Sequence, residues 1–186
     1  MSEPGRRLVH ASGSLVPGAY LAGLLTWEAV RWLLLAGLVL AAVLEALRLR
    51  DRLDWWIYRR LTREYEDEAV AGYALAVFGA AVTGWLFPPG VAVPALLMLT
   101  LADPASGLLS RDELGIKRSY VLLAMFGLCL AIASLLLVPF WPAVAGAAAA
   151  TAADGVKPTV GEWVIDDNLT IPTVAAAAMH VGLLVV

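Results

Sequence analysis

The sequence predicts an all-α protein: a polytopic bundle of about seven transmembrane helices, with six as the alternative, in one domain covering residues 1–186. The first observation is composition, because 61% of the residues are hydrophobic and only 16% are charged, against about 25% charged in an ordinary soluble domain. The second is a series of apolar runs close to the roughly 20 residues that cross a bilayer as a helix. The third is the confinement of the basic residues to a few connections between those runs.

Five apolar segments are long enough, or nearly so, to cross a membrane. In chain order they are Val30–Leu47, Ala69–Phe87, Val91–Leu109, Tyr120–Val138 and Leu169–Val186. Two weaker candidates, Leu8–Leu25 and Ala143–Ala153, bring the count to seven. The turns Phe87–Gly90 and Val138–Pro142 contain prolines but no charge, which is typical of a tight connection between two spans.

The basic residues predict the orientation of this bundle. Six arginines lie in the connection near 48–68, and the positive-inside rule makes such a connection cytoplasmic. Alternation then puts the N-terminus and the connections near 110–119 and 154–168 on the same side, together with all of the thirteen basic residues except Arg31. We therefore expect a multi-pass cell-membrane protein with its active face in the cytoplasm. The net charge of −3 argues against nucleic acid as a partner.

Asp103 is the carboxylate that most strongly suggests a functional role. It ends a long apolar run, and an ionisable group at membrane depth is costly. Pro104 disfavours α geometry at the residue before it, and aspartate is a good cap for a helix that begins with proline. The sequence thus predicts a break at Asp103 and a short segment ending near Leu109. Broken helices at this depth line polar cavities, which favours a metal or phosphate site; a cap facing headgroup water is the alternative.

The segment Asp166–Pro172 predicts a second polar point at the start of the last span. Asn168 is expected to be the N-cap, with Pro172 in the first turn, where it removes no intrahelical hydrogen bond. The free N–H groups of such a helix start bind anions. Asp166 and Asp167 would repel a bare phosphate, so they favour a divalent cation between the carboxylates and a nucleotide. The alternative is an acidic loop that only caps the helix.

Basic residues lie near both Asp103 and the segment Asp166–Pro172 in the sequence. Lys117 and Arg118 follow the Asp103 segment, and Lys157 precedes the last span. Near the N-terminus, Arg7 and His10 are one helical turn apart and share one side of a helix. Such cations can hold phosphate oxygens, although contact with anionic lipid heads would explain them equally well.

In combination these motifs resemble the dolichol kinase family. The segment Asp166–Pro172 is similar to the family's Asp-Asn-Leu-Thr-Ile/Val-Pro motif, and Arg6–His10 is similar to its Arg-Lys-x-x-His start. Arg63–Glu66 looks like its Arg-Glu-x-Glu stretch, and Ala102–Ser106 stands where the family has Gly-Asp followed by small residues. The family comprises CTP-dependent kinases of dolichol and other polyprenols, of phytol and of diacylglycerol.

The resemblance implies transfer of the γ-phosphate of CTP to the hydroxyl of a polyprenol or dolichol-type alcohol in the bilayer, assisted by Mg²⁺. It implies catalytic roles for Asp103, Asp167 and Asn168, and Mg²⁺ ligands among Asp103, Asp166 and Asp167. The residues implied in nucleotide or phosphate binding are Arg6, Arg7, His10, Lys117, Arg118, Lys157 and Thr170.

One departure from the family leaves alternatives open. After a basic pair such as Lys117–Arg118 the family has Leu-Glu-Gly, where this sequence has Tyr120-Val121-Leu122. The candidates to supply the missing carboxylate are Asp112, Glu113 and Asp154. A CDP-lipid synthase, a protein that keeps the kinase fold without its chemistry, and a transporter are the competing interpretations. The sequence gives no prediction of the oligomeric state.

Overall fold

The computed structural model describes residues 3–50, 69–110, 117–156, 159–160, 163–164 and 166–185. In chain order the helices are α1 (Glu3–Ser12), α2 (Leu15–Leu21), α3 (Trp27–Arg48), α4 (Gly72–Leu86), α5 (Pro89–Leu97), α6 (Asp103–Leu109), α7 (Ser119–Leu135), α8 (Phe140–Gly155) and α9 (Asp167–Val185). A π-helical segment, Met98–Ala102, joins α5 to α6. Strands β1 (Thr159–Val160) and β2 (Trp163–Val164) form a two-residue antiparallel hairpin. Apart from this hairpin, the all-α prediction is confirmed for the described residues.

Among the described residues, three helices are long and apolar enough to cross a membrane: α3 with 22 residues, the continuous helix Pro89–Leu109 with 21, and α9 with 19. The apolar helices α4 and α7 are shorter, with 15 and 17 residues. Large apolar side chains such as Leu33, Val39 and Leu40 are exposed on α3, which is typical of a surface that faces lipid or a partner. Helices were thus predicted in the right places, and the count of seven spans stays a prediction.

The expectation of one continuous helix over Leu8–Leu25 is wrong, because a turn at Gly13 divides it into α1 and α2. At Gly13 the backbone approaches the π-segment so closely that a Cβ would lie 2.9 Å from Cγ2 of Thr100. The Ser14 hydroxyl also donates to the Ala11 carbonyl at 2.7 Å, which competes with helix continuation. Since α1 contacts α6 and α2 contacts α5, the two short helices together run antiparallel to Pro89–Leu109.

The predicted break at Asp103 is also wrong. Asp103 has helical backbone angles, φ −61° and ψ −51°, and its N–H donates to the Met98 carbonyl five residues earlier. In a regular α-helix the Pro104 ring would collide with the carbonyl four residues before it. The wider π turn relieves that collision without ending the helix, as π-bulges at functional sites do. The expected end of the segment at Leu109 is confirmed.

Helix α9 lies at the centre of the bundle and contacts α8, α4 and α5. Small residues allow the close approach, since a Cβ on Gly146 of α8 would overlap the Met179 side chain of α9. Gly182, near the end of α9, packs against Pro142 at the start of α8. The two helices are therefore antiparallel, and the last turn of α8 lies beside the first turn of α9.

Candidate functional site

Three carboxylates from three helices converge at one end of the bundle. Asp103 begins α6, Asp154 lies in the last turn of α8, and Asp167 begins α9. Each offers one oxygen atom, and these three atoms all lie within 4.8 Å of one another. Asp154 is 1% exposed and Asp167 is 6% exposed. We call these three residues the carboxylate cluster.

The structure therefore puts Asp154, rather than the predicted Asp166, beside Asp103 and Asp167. Asp154 was one of three candidates for the missing family carboxylate, and the other two, Asp112 and Glu113, lie outside the described residues. A signal for it existed in the sequence, because it is a lone acid at the end of the apolar, alanine-rich helix α8. The rule that such a group needs a reason would have found it.

The carboxylate cluster has the chemistry of a divalent cation site. Carboxylate oxygens are hard donors of the kind that Mg²⁺, Ca²⁺ and Mn²⁺ prefer. Like charges this close raise one another's energy, and a bound cation removes that repulsion. The donor set thus suits a hard divalent cation, and Mg²⁺, the ion that the sequence resemblance implies, is one of several that it could hold.

Lys117 belongs to the same site, in agreement with the sequence. Its Nζ atom donates to Oδ1 of Asp154 at 2.6 Å and to the Ser106 hydroxyl at 3.1 Å. The Ser106 hydroxyl in turn donates to Oδ2 of Asp154 at 2.8 Å. Both oxygens of Asp154 therefore accept hydrogen bonds, Oδ1 from Lys117 and Oδ2 from Ser106. The neighbouring Arg118 precedes α7 and is exposed.

The start of α9 differs from the expectation, because the capping residue is Asp166 rather than Asn168. The Asp166 carbonyl accepts from the N–H groups of Leu169 and Thr170 at 3.2 and 3.3 Å. Its Oδ1 accepts from the backbone N–H of Asn168 at 2.9 Å. These three N–H groups, which were expected to be free for phosphate, are thus bonded within the chain: the Asp166 carboxylate accepts from Asn168, and its backbone carbonyl accepts from Leu169 and Thr170. Helix α9 begins at Asp167, so Pro172 lies inside the helix, beyond its first turn.

Asn168 keeps an open hydrogen-bonding atom. Its Nδ2 donates to Oδ1 of Asp166 at 2.6 Å, which fixes the orientation of the amide. The Oδ1 atom of Asn168 is buried and has no hydrogen-bond partner among the described residues. A buried acceptor left unpaired costs about 1–3 kcal/mol, and Nε1 of Trp27 and Oγ1 of Thr83 are in the same state. The residue as a whole is 8% exposed.

His10 connects α1 to the π-segment. Its Nε2 lies 3.0 Å from the Leu99 carbonyl oxygen. That carbonyl lacks its usual donor, because the Asp103 N–H bonds to Met98 and the next residue is Pro104, which has no N–H. A carbonyl only accepts, so Nε2 of His10 carries the proton and donates. The same nitrogen lies 3.9 Å from Oδ2 of Asp103, which brings His10 to the edge of the carboxylate cluster.

The remaining predicted cations differ in their location. The Arg7 guanidinium packs on α6, where a Cβ on Gly107 would lie 3.4 Å from its Nε. Only the backbone of Arg6 is described, and it belongs to α1. Lys157 and the segment Arg63–Glu66 lie outside the described residues.

An apolar cavity of about 430 Å³ adjoins the site and is lined by residues of α1, α2, α3, α4, α5, α9 and the π-segment. Its volume falls within the range of small-molecule sites, about 300–1,000 Å³. The side chains with polar atoms in its wall are those of His10, Tyr73, Thr100 and Asn168. Since His10 and Asn168 also border the carboxylate cluster, one end of the cavity meets the site. No pattern in the sequence predicts this cavity.

Comparison with models of protein families gives no match, and comparisons with curated proteins and with solved structures find no significant similarity. The likeness to dolichol kinases therefore stays a prediction from the sequence motifs.

Proposed function

We propose that this chain is a membrane-embedded phosphotransferase that moves the γ-phosphate of CTP to the hydroxyl of a polyprenol-type alcohol. The observation that carries the proposal is the convergence of Asp103, Asp154 and Asp167 within 4.8 Å, beside Lys117. Phosphoryl transfer depends mainly on positioning and on neutralising charge. A carboxylate cluster next to a cation and an apolar cavity offers both, for a charged donor and a lipid acceptor.

The proposal includes a seven-span topology with the N-terminus in the cytoplasm. Helices α1 and α2 follow Pro89–Leu109 in the opposite direction, as a broken span would. Such a break is tolerated where it lines a cavity, and α1, α2 and the turn at Gly13 all contribute to the cavity wall. The carboxylate cluster then faces the cytoplasm, where CTP is available, in a multi-pass cell-membrane protein.

Asp103, Asp154 and Asp167 would hold Mg²⁺, which when bound neutralises phosphate charge and polarises the transferred group. The chain's own cations complete the phosphate site. Lys117 lies at the carboxylates, and Arg7 lies along α6. A carboxylate of the cluster also orients the acceptor hydroxyl and accepts its proton. The helix start at Asp167 contributes through its carboxylate, since the N–H groups of the next three residues are bonded to Asp166.

The test is a transfer assay with the purified chain in lipid nanodiscs, with CTP labelled on the γ-phosphate and a panel of prenols and diacylglycerols. We expect labelled prenyl phosphate and CDP, dependent on Mg²⁺. Asp167→Asn should abolish the label, whereas the matched control Glu28→Gln, at an exposed position of α3, should not.

Two results would overturn the proposal. CTP labelled on the α-phosphate could yield a CDP-lipid and pyrophosphate, which would identify a CDP-lipid synthase. Alternatively, CTP could bind without any transfer to a lipid, which would identify a non-catalytic protein of the same architecture.

A further inference from the structure

Arg31 is the basic residue whose position the predicted orientation does not explain. Alternation of the spans puts it on the opposite side from the other lysines and arginines, where the positive-inside rule disfavours a basic residue. In the structure it lies in the second turn of α3, a helix that begins at Trp27. Because a charge in an apolar span is costly, the contacts of Arg31 should show what it binds.

The surroundings of Arg31 lie at the end of the bundle away from the carboxylate cluster. Arg31 contacts the last turn of α4. Just beyond that turn, the Phe87 ring packs edge-on against the His180 ring, with the centroids 5.8 Å apart. His180 lies about 20 Å from Asp167 along α9, at a rise of 1.5 Å per residue. A ligand of Arg31 would therefore be separate from the ligands of the carboxylate cluster.

Contacts with α4 hold the Arg31 side chain in one direction. Its Nε donates to the Gly84 carbonyl at 3.1 Å, and Nε1 of Trp85 donates to the Arg31 carbonyl at 3.2 Å. The guanidinium carbon lies 5.7 Å from the centroid of the Trp85 ring, which is within cation–π range. Trp32 packs edge-on against the same ring at 5.5 Å. The guanidinium is thus oriented before any ligand arrives, which lowers the entropy cost of binding.

The other edge of the guanidinium keeps its donors. An arginine side chain has five N–H groups, and four of them are on the two Nη atoms. In the part of the chain that the structure describes, neither Nη atom of Arg31 has a hydrogen-bond or ion-pair partner, and Glu28, one turn earlier on α3, does not pair with it. Two parallel N–H groups match two oxygens of a phosphate or a carboxylate. The open edge therefore fits an anion with paired oxygens.

The apolar surface around Arg31 indicates that this anion belongs to a lipid. The Trp32 and Trp85 side chains are both exposed, as tryptophans are where a membrane meets water. Phe78 is also exposed and lies on the same side of α4 as Trp85, two turns or about 10 Å farther into the bundle. A soluble anion would leave this apolar surface uncovered. A phospholipid would cover it with an acyl chain while its phosphate reaches the guanidinium.

We propose that Arg31 and Trp85 bind the phosphate group of a membrane phospholipid, in the leaflet at the end of the bundle away from the carboxylate cluster. The Nη atoms donate to two phosphate oxygens, and an acyl chain lies on α4 between Trp85 and Phe78. The opposite charges of guanidinium and phosphate then offset the cost of an arginine at this position. The inference does not depend on the transfer reaction, since it concerns the other end of the bundle.

The binding test is native mass spectrometry of the full chain, stripped of lipid in detergent and titrated with phosphatidylglycerol. A galactosyl diacylglycerol with the same acyl chains but no phosphate is the lipid control, and we expect it to bind at least tenfold more weakly. Glycerol 3-phosphate, which has the phosphate without acyl chains, should not displace phosphatidylglycerol at equal concentration. Displacement would overturn the lipid assignment, because it would mean that the site takes a soluble phosphate.

Matched substitutions at the two ends of α3 locate the site. Arg31→Met and Arg50→Met remove the same charge, and Arg50 is exposed just beyond the C-cap of the helix. We expect the most tightly bound phosphatidylglycerol to bind at least tenfold more weakly to Arg31→Met and equally well to Arg50→Met. Arg31→Lys should recover only part of the loss, because an ammonium lacks the planar fork of donors. Equal losses in the two methionine variants would overturn the proposal, since net charge alone would then account for binding.

A purely structural role of Arg31 needs a separate readout, because Arg31→Met also removes the hydrogen bond to Gly84. Thermal unfolding with and without phosphatidylglycerol supplies it. The lipid should raise the Tm of the unsubstituted chain and of Arg50→Met, and it should leave the Tm of Arg31→Met unchanged. If the lipid raises the Tm of Arg31→Met as much as that of the other two proteins, Arg31 only joins α3 to α4 and the phosphate site is refuted.

Discussion

Two groups of buried polar side chains lie in this bundle, and they are built differently. The first joins α3 to α4 through Glu45, which is 5% exposed. Glu45 accepts from Nε of Arg48 at 3.1 Å, from the Ala71 N–H at 2.8 Å and from the Tyr73 hydroxyl at 2.8 Å. We call this the Glu45 network: one acid, one base, and donors to both carboxylate oxygens.

The carboxylate cluster, in contrast, brings three acids together and pairs Lys117 with Asp154. Removing a charge from water costs several kcal/mol per ion, and a paired, hydrogen-bonded partner offsets that cost. In the Glu45 network, Arg48 is the partner that offsets the cost of burying the carboxylate. In the carboxylate cluster, a bound cation would offset that cost. Burial of charge therefore does not by itself indicate function here, and the balance of charges separates a structural group from a binding site.

The largest effect expected is on stability, from Glu45→Ala. The Arg48 side chain, which is 10% exposed, would remain buried without its carboxylate, so the free energy of unfolding should fall by about 3–5 kcal/mol. Transfer activity per folded molecule should not change, because Glu45 lies outside the carboxylate cluster. The measurement is a denaturant titration in detergent, and the double variant Glu45→Ala with Arg48→Ala should regain part of the loss. Lost activity at unchanged stability would refute the structural role.

The next effect is on catalysis, from Asp103→Asn, Asp154→Asn and Asp167→Asn taken singly. Each should lower kcat/KM about 10²- to 10³-fold, or about 2.7–4 kcal/mol, the range for loss of one preorganised charge-stabilising group. Without Mg²⁺, stability should hold or rise in Asp103→Asn and Asp167→Asn, since each change removes repulsion. It should fall in Asp154→Asn, because that change leaves the Lys117 ammonium without its carboxylate. Asp103→Asn and Asp167→Asn should therefore lower activity without lowering stability, whereas Glu45→Ala should lower stability without lowering activity. Full activity in one of these variants would mean that its aspartate is not part of the site.

Mg²⁺ should stabilise the folded chain through the carboxylate cluster alone. Binding at 100 times Kd adds about 2.7 kcal/mol to the free energy of unfolding. We expect this gain in the unsubstituted chain and in Glu45→Gln, and its loss in Asp167→Asn. Thermal unfolding with Mg²⁺, against K⁺ at equal ionic strength, measures it without any need for turnover. An equal gain in all three proteins would mean that the ion binds elsewhere.

Much of the fold was predictable because hydropathy is a local property. The segments predicted at Val30–Leu47, Val91–Leu109 and Leu169–Val186 match helices within about three residues at either end. Asp103 and Asp167 were predictable for a related reason, since a carboxylate beside an apolar run is conspicuous in any sequence. These features need no knowledge of which helix packs on which.

The features that were missed depend on tertiary contacts. Asp154 joins the carboxylate cluster only because α8 and α9 are antiparallel and pack through Gly146. The turn at Gly13 exists because α1 and α2 lie against the π-segment, and the π-segment accommodates Pro104. The cavity is lined by residues of six helices and the π-segment, so no single stretch of sequence encodes it.

The smallest effect expected is that of Lys117→Met, which tests most directly whether the carboxylate cluster differs from the Glu45 network. Lys117 holds Asp154 as Arg48 holds Glu45, with Nζ 2.6 Å from Oδ1. If Lys117 is part of a cation site, its loss should strengthen Mg²⁺ binding about tenfold, or 1.4 kcal/mol, because unit charges this close interact with about 1 kcal/mol in water and about 4 kcal/mol near a protein surface. KM for CTP should rise over the same range, since a phosphate contact is lost.

The stability of Lys117→Met should therefore depend on Mg²⁺ in a way that the stability of Arg48→Met does not. Without the ion, both substitutions leave a buried carboxylate unpaired, and both should lower the free energy of unfolding. With saturating Mg²⁺ the deficit of Lys117→Met should disappear, because the cation replaces the ammonium at Asp154. The deficit of Arg48→Met should persist at any Mg²⁺ concentration, because in the part of the chain that the structure describes Glu45 is the one acid of the Glu45 network, so a cation there would have a single carboxylate ligand. Titration of both variants by thermal unfolding measures the difference, and equal deficits at saturating Mg²⁺ would make Lys117 a structural partner of the same kind as Arg48.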